Sequence, residues 1–222
     1  MAKSIYCVLR SGGPDYDERH VRWLKKQCEE FAPGVPFICL TDLPSIDDVT
    51  TEPLLHGWEG WWSKLELFRY SEVFYLDLDT VLVNDVRHML HLDGFHALRN
   101  FGKNGLRGRL AGPSGRRFGI CVPLATGVMS WNRPPRHVYD SFDPKMVDDY
   151  QGKRSWGDQG YVFDRVGRRY RAFQDVFPGR VRSFKFDGLD GDRPDADIVC
   201  FHGRPRPWET TCSWVPPLRS PA

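Results

Sequence analysis

Val73-Phe74-Tyr75-Leu76-Asp77-Leu78-Asp79 decides the fold of this chain. Four apolar residues, two of them aromatic, form the strongest strand signal in the sequence, and the strand runs directly into two carboxylates. Upstream, Ser4–Leu9 reads as another buried strand, followed by a turn at Ser11-Gly12-Gly13-Pro14. Val21, Leu24, Cys28 and Phe31 recur at helical spacing until Ala32-Pro33-Gly34 stops the helix. Phe37–Leu40 is a second strand ending at Thr41-Asp42, and Trp61 to Tyr70 reads as a short helix with Trp61, Leu65 and Phe68 on one side. Strand, helix, strand, helix, strand in this order predicts an α/β fold with a central mixed, largely parallel sheet flanked by helices. In such sheets ligands bind beyond the carboxyl ends of the strands. Ser11–Gly13, Thr41-Asp42 and Asp77–Asp79 all fall there.

Downstream, Phe95–Leu98, Phe118–Val122, Thr126–Trp131, Val181–Phe186 and Ile198–His202 read as strands, and Pro135–Phe142 and Asp158–Val166 as helices. With no internal repeat and no clean linker, the 222 residues read as one domain. Residues 1–83 form its nucleotide-side half, 84–202 its second half and 203–222 a strap rich in proline and tryptophan.

Composition narrows the class. Hydrophobic residues at 41% and a net charge of +2 suit a globular core rather than disorder. No apolar run is long enough to span a membrane, and no signal segment is evident at the start. The cysteines are scattered without a C-x-x-C pair, so reduced thiols and a cytoplasmic location are expected. The small net charge conceals two basic stretches. Arg99–Arg117 holds six basic residues and five glycines with no acid, and Arg165–Arg182 holds six arginines against Asp175 alone. Either stretch could meet phosphates or simply be solvated.

In extended backbone, residues two apart point to the same side, so Asp77 and Asp79 can face one cation. Carboxylate oxygens suit hard divalent ions that share their shell with phosphate. The segment Cys200-Phe201-His202-Gly203-Arg204-Pro205-Arg206-Pro207-Trp208 supplies an imidazole at a strand end, a glycine permitting close backbone approach, and arginines on a stiff Pro-x-Pro frame. Imidazole with carboxylates favours manganese over magnesium. An arginine beside a glycine amide suits a diphosphate. Tryptophans 58, 61 and 62, beside Gly57 and Gly60, read as core in preference to a sugar-stacking surface. His20, His56, His88, His91, His96 and His137 lack partners at ligand spacing and are assigned no role.

Trp62-Ser63-Lys64-Leu65-Glu66-Leu67-Phe68-Arg69, the strand with Asp77-Leu78-Asp79-Thr80, Thr126-Gly127-Val128-Met129, Asp158-Gln159 and Gly203–Trp208 together resemble glycosyltransferase family 8, with the motifs in family order from residue 60 to 208. The resemblance implies a GT-A fold and retaining, manganese-dependent transfer of a sugar from a nucleotide-diphosphate sugar, a UDP-sugar first, to a hydroxyl acceptor. Magnesium is the second choice of ion. By the same resemblance, Asp77 contacts the ribose and metal and Asp79 binds the metal. Lys64 occupies the place of a family arginine that lies against the nucleotide and the aspartate motif. Asp158 and Gln159 lie at the donor sugar as the catalytic pair. Gly203 and Arg206 hold the diphosphate, with Arg206 replacing a family lysine. Ser11, Gly13, Tyr16 and Asp42 fall where the fold receives the base.

The chain departs from the family at two of these places. The family histidine corresponds to Cys200, whereas this chain carries His202; either residue completes the metal set, with His202 the stronger donor. Ala125 stands where an asparagine is usual. Asp158 is also the nearest candidate for a carboxylate nucleophile, and the choice between that route and same-face attack stays open. So do two other readings. One is a haloacid-dehalogenase-like phosphatase with Asp77 as nucleophile, Asp79 as acid/base and Asp148-Asp149 as a later magnesium pair. The other is a nucleotide-binding module without turnover. A saccharide or lipid-linked saccharide is the ordinary acceptor. The basic stretches 99–117 and 165–182 raise a nucleic acid bearing hydroxymethylated bases as another.

Overall fold

The computed structural model of the protein describes residues 3–101, 122–151 and 157–218. The predicted strand at Phe118–Val122 and most of the basic stretch 99–117 lie outside the described residues.

Strand β1 (Ser4–Leu9) shows how the sequence places its core. Ile5, Cys7 and Leu9 enter one apolar cluster, while Tyr6 enters another on the opposite side of the sheet, as the period of two requires. Helix α1 (Glu18–Phe31) follows, capped by Asp17, whose side chain accepts from the Arg19 amide while the His20 ring reaches back to the Asp17 amide. His20 is thus a capping residue. Val21, Leu24 and Cys28 bury the inner face of α1 in the first cluster, and Gly34 at φ +80° turns the chain towards β2 (Phe37–Thr41). A short edge strand, β3 (Thr50–Pro53), follows; its polar sequence concealed it. The short helix expected over Trp61–Tyr70 is a 3₁₀ segment, Gly60–Arg69. Strand β4 (Val73–Leu76) sends Phe74 and Leu76 to the first cluster and Val73 and Tyr75 to the second.

The remaining strands are β5 (Thr80–Leu82), β6 (His96–Arg99), β7 (Leu124–Trp131), β8 (Arg171–Ala172), β9 (Val181–Ser183) and β10 (Ile198–Cys200). Among the described residues the remaining α-helices are α2 (His137–Asp140), α3 (Val147–Tyr150), α4 (Asp158–Val166) and α5 (Phe173–Val176). The main sheet has seven strands in the order β3-β2-β1-β4-β7-β6-β8. β3, β2, β1 and β4 run parallel, β7 is antiparallel to both its neighbours, and β8 is parallel to β6. A small sheet, β5-β10-β9, stands beside it. Helix α1 covers one face of the main sheet; the 3₁₀ segment and α4 cover the other. The expected α/β architecture with a mixed, largely parallel sheet is therefore observed. Strand β10 stops at Cys200, two residues short of the predicted end, and β9 stops at Ser183. No helix among the described residues is long and apolar enough to cross a membrane.

Candidate active site

At the carboxyl end of β4 the chain leaves the sheet through Asp77, whose amide donates to the Gly127 carbonyl on β7 at 2.8 Å. This pins the first aspartate to the T-G-V segment. Gly127 is the closest approach: a Cβ there would stand 3.2 Å from Asp77 Oδ2, so the segment needs glycine for the carboxylate to sit against it. Asp77 Oδ1 accepts from Lys64 Nζ at 2.8 Å and from the Tyr75 hydroxyl. Lys64 Nζ also stands 3.5 Å from Asp158 Oδ2, which accepts from Thr126 Oγ1 at 2.5 Å. A buried lysine therefore ties the D-x-D motif to the first residue of α4. Burial opposes the Lys64 charge, but Asp77 and Asp158 outweigh it and hold the ammonium above its ordinary pKa. Burial raises Asp158 in turn, against the pull of Lys64 and Thr126.

Asp79 has a separate cation. Its Oδ2 accepts from Arg206 Nη1 at 2.5 Å and from the Tyr16 hydroxyl at 2.9 Å, and Arg206 also reaches Asp15 at 3.3 Å. Burial and then the neighbouring Asp77 push the Asp79 carboxyl up to about 6 despite these donors. Close by, His202 has a buried Nε2 without a hydrogen-bond partner. Burial lowers its pKa to about 4, which leaves a neutral imidazole at neutral pH. Burial raises the Cys200 thiol well above its usual range, with Asp79 and Asp77 adding to the effect.

These groups line one cavity of about 520 Å³. Of the residues singled out from the sequence, Tyr16, Lys64, Asp77, Asp79, Asp158, Gln159, Cys200, His202, Gly203 and Arg206 all face it. Ala125, where the asparagine is missing, also lines it. Gly203, at φ +71°, takes a conformation that suits glycine. An adjoining cavity of about 310 Å³ is walled by Val8, Leu9, Gly13 and Leu78 and shares Tyr16, Trp61, Lys64 and Asp77 with the first. Ser11 and Asp42 line neither cavity; they bind each other through the Ser11 amide and hydroxyl, both at 2.7 Å from the Asp42 carboxylate. Asp148 and Asp149, the proposed second acidic pair of a phosphatase, lie on α3 and also line neither cavity.

Some functional positions escaped the sequence reading. Thr126 stands inside the T-G-V motif, but only the fold reveals that its hydroxyl holds Asp158. The tryptophan cluster, read as core, divides: Trp62 is 5% exposed, whereas Trp61 is 59% exposed and lines both cavities. Trp61 Nε1 lies only 2.7 Å from where a Cβ on Gly157 would be, and Gly157 has φ +60° and ψ −134°. A glycine is thus required immediately before Asp158. Gly157→Ala is expected to cost about 1–3 kcal/mol of stability and to lower turnover by displacing Asp158. Thermal unfolding with parallel kinetics checks it, and a variant with wild-type values for both would remove this role.

Two of the six arginines in the basic patch 165–182 have acidic partners. Arg180 pairs with Asp195 and Asp197, and Arg182 stands 3.7 Å from Asp187. None of its arginines lines either cavity. Among the described residues no group of three His, Cys, Asp or Glu side chains stands as a ready-made metal cluster. Asp77, Asp79 and His202 nevertheless line one cavity, and the buried His202 Nε2 has no hydrogen-bond partner there.

No family model matches the chain, and no curated protein matches it in sequence. Among solved structures, it is similar to the galactosyltransferase LgtC in complex with donor and acceptor sugar analogues, at 14% identity and TM-score 0.66, over 95% of this chain and 91% of that one. It is also similar to the glycosyltransferase GlyE of Streptococcus pneumoniae TIGR4, at 14% identity and TM-score 0.62, over 93% of this chain and 56% of that one. Mouse xyloside xylosyltransferase 1 is a more distant likeness, at 12% identity and TM-score 0.51, over 91% of this chain and 98% of that one. The architecture of this chain is the GT-A fold of glycosyltransferases.

Proposed function

We propose that the protein is a glycosyltransferase that moves a sugar from a nucleotide-diphosphate sugar, a UDP-sugar first, to a hydroxyl acceptor with retention of configuration. One observation carries this reading. Lys64, Asp77, Asp79, Asp158, Gln159, His202, Gly203 and Arg206, drawn from motifs far apart in sequence, line one cavity at the carboxyl ends of the strands in a GT-A fold.

In this reading the smaller cavity receives the nucleoside, with Tyr16 and Gly13 on its wall, and the shared edge at Lys64 and Asp77 receives the diphosphate. Asp77, Asp79 and His202 would hold Mn²⁺, with Mg²⁺ as second choice; when bound, the ion supplies positive charge to the leaving diphosphate. The chain's own residues do the rest. Arg206 and the Gly203 amide meet the negative charge that grows as the glycosidic bond to phosphate breaks. Asp158, clamped by Thr126 and Lys64, presents a preorganised carboxylate to the positive charge on the departing sugar, with Gln159 beside it. The acceptor hydroxyl then attacks the sugar carbon from the face the diphosphate leaves, its proton passing to the departing phosphate oxygen.

Nucleotide diphosphate release from UDP-, GDP- and ADP-sugars, with manganese and with EDTA, tests the proposal. Turnover is expected with manganese, lost in EDTA, and reduced about 10²-fold or more in Asp79→Ala. Silence from every donor, accompanied by metal-dependent hydrolysis of a phosphomonoester, would transfer the site to phosphatase chemistry.

A further inference from the structure

Each carboxylate of the aspartate pair takes one phenol and one cation. Asp77 has the Tyr75 hydroxyl and Lys64; Asp79 has the Tyr16 hydroxyl and Arg206. The two sets differ in how firmly the fold fixes them. Tyr75 lies on β4 and Lys64 in the 3₁₀ segment, and both are buried. Arg206 lies in the strap, just ahead of the short 3₁₀ turn Pro207–Glu209, where its amide donates to Glu209 Oε2 at 2.9 Å. A long side chain on an irregular backbone has many rotamers open to it, so its guanidinium is placed by what it touches.

Those contacts come from the aspartate pair and from one turn ahead of α1. The Tyr16 hydroxyl donates to Asp79 Oδ2 at 2.9 Å, and its oxygen accepts from Arg206 Nη1. Arg206 Nη1 also meets the same Asp79 oxygen at 2.5 Å, and Arg206 Nη2 stands 3.3 Å from Asp15. The guanidinium carbon lies over the Tyr16 ring, 4.9 Å from its centroid. The ring itself is held edge-on by His20 at 5.5 Å and by Trp208 at 6.0 Å, and Trp208 meets Trp23 of α1 at 5.8 Å. The strap and the start of α1 are therefore anchored together around Tyr16, which lines both cavities. We infer that Tyr16 is a positioning residue: its hydroxyl fixes the Arg206 guanidinium against Asp79. This goes beyond the place of its ring on the nucleoside-side wall. It rests on the sugar-transfer reading for the group it serves, a diphosphate met by Arg206.

Tyr16→Phe keeps the ring and removes only the hydroxyl, so it separates the two roles. In the free protein, nitrogen-15 NMR of the arginine side chains, with the Arg206 signal assigned from Arg206→Lys, reads rotation of the guanidinium. Rotation is expected to be slow in the wild type and about tenfold faster in Tyr16→Phe, as loss of a hydrogen bond to a charged group implies. Calorimetric titration with manganese present then compares UDP with UMP, or the corresponding guanosine or adenosine pair if the wild type prefers it. Tyr16→Phe is expected to weaken the diphosphate about tenfold and leave the monophosphate unchanged. In an Arg206→Ala background the same substitution is expected to change neither. The inference is overturned if Arg206 rotates at the wild-type rate in Tyr16→Phe, or if the diphosphate loss persists without Arg206. Equal weakening of diphosphate and monophosphate would also overturn it and return Tyr16 to contact with base or ribose alone. Rotation released in Tyr16→Phe, with no nucleotide bound and no sugar donor turned over, would instead sink the transferase reading and leave the positioning role standing.

Discussion

Lys64→Met is expected to lower stability by about 3 kcal/mol or more and to abolish turnover. The Lys64 side chain is 8% exposed and neutralises Asp77 at 2.8 Å and Asp158 at 3.5 Å. Methionine fills similar volume, so the loss comes from charge rather than from a cavity. Asp77 keeps the Tyr75 hydroxyl and part of its access to water. Asp158, at 4% exposure, keeps only Thr126 among its named partners and is left with an uncompensated buried charge. The double variant Lys64→Met/Asp158→Asn is therefore expected to recover much of the lost stability, a coupling readable from denaturant midpoints in a mutant cycle. Lys64→Arg preserves the charge and is expected to stay within about 1 kcal/mol of wild type. If Lys64→Met unfolds at the wild-type midpoint, the lysine is not the electrostatic keystone of the site.

Asp158→Asn separates function from folding in the opposite sense. The asparagine side-chain oxygen still accepts from Thr126, and Lys64 retains Asp77, so stability is expected to remain within about 1 kcal/mol of wild type or to rise slightly, since a buried charge is removed. Turnover is expected to fall by about 10²–10³-fold or more, because the carboxylate that meets the cationic sugar is gone. On the proposed sugar-transfer reading, which sets the nucleotide at the smaller cavity, Asp77 and Arg206, nucleotide binding should persist. Nucleotide titration beside the release assay checks both halves. An Asp158→Asn protein that turns over donor normally would remove the carboxylate from the chemistry and leave it a structural partner of Lys64.

The two substitutions act on one ion-paired cluster and differ in what remains unpaired. Removing the cation strands an acid in the interior; removing the acid leaves the cation with its other partner. Asp77 binds Lys64 while Asp79 binds Arg206, so the motif's carboxylates have separate protein counter-ions. This arrangement holds like charges two residues apart at the mouth of the sheet. Burial and then Asp77 raise the Asp79 carboxyl to about 6 in spite of Arg206 and Tyr16.

Much of this was legible in the linear chain, for a local reason. The apolar runs of β1 and β4 and the apolar stripe of α1 each depend on residues within a few positions, and all appear where the pattern puts them. The polar edge strand β3 and the three-residue β5 carried too little pattern to be seen. The D-x-D motif was recognisable because a strong strand ends in it. What the strand does not reveal is the company its carboxylates keep. Arg206 reaches Asp79 across 127 residues of sequence, and Thr126 reaches Asp158 across 32. The resemblance sets Lys64 against the aspartate motif, but only the fold adds Asp158 as its second acid. Trp61 and Trp62 are neighbours of identical type, yet one is buried and the other stands in the cavity mouth. The sequence alone determined the α/β architecture and the carboxyl ends of β1 and β4, because backbone periodicity is a short-range property. Only the tertiary structure decided which charges are paired, which aromatics face the cavity and which glycines are indispensable, because these depend on surfaces brought together by strands and loops distant along the chain.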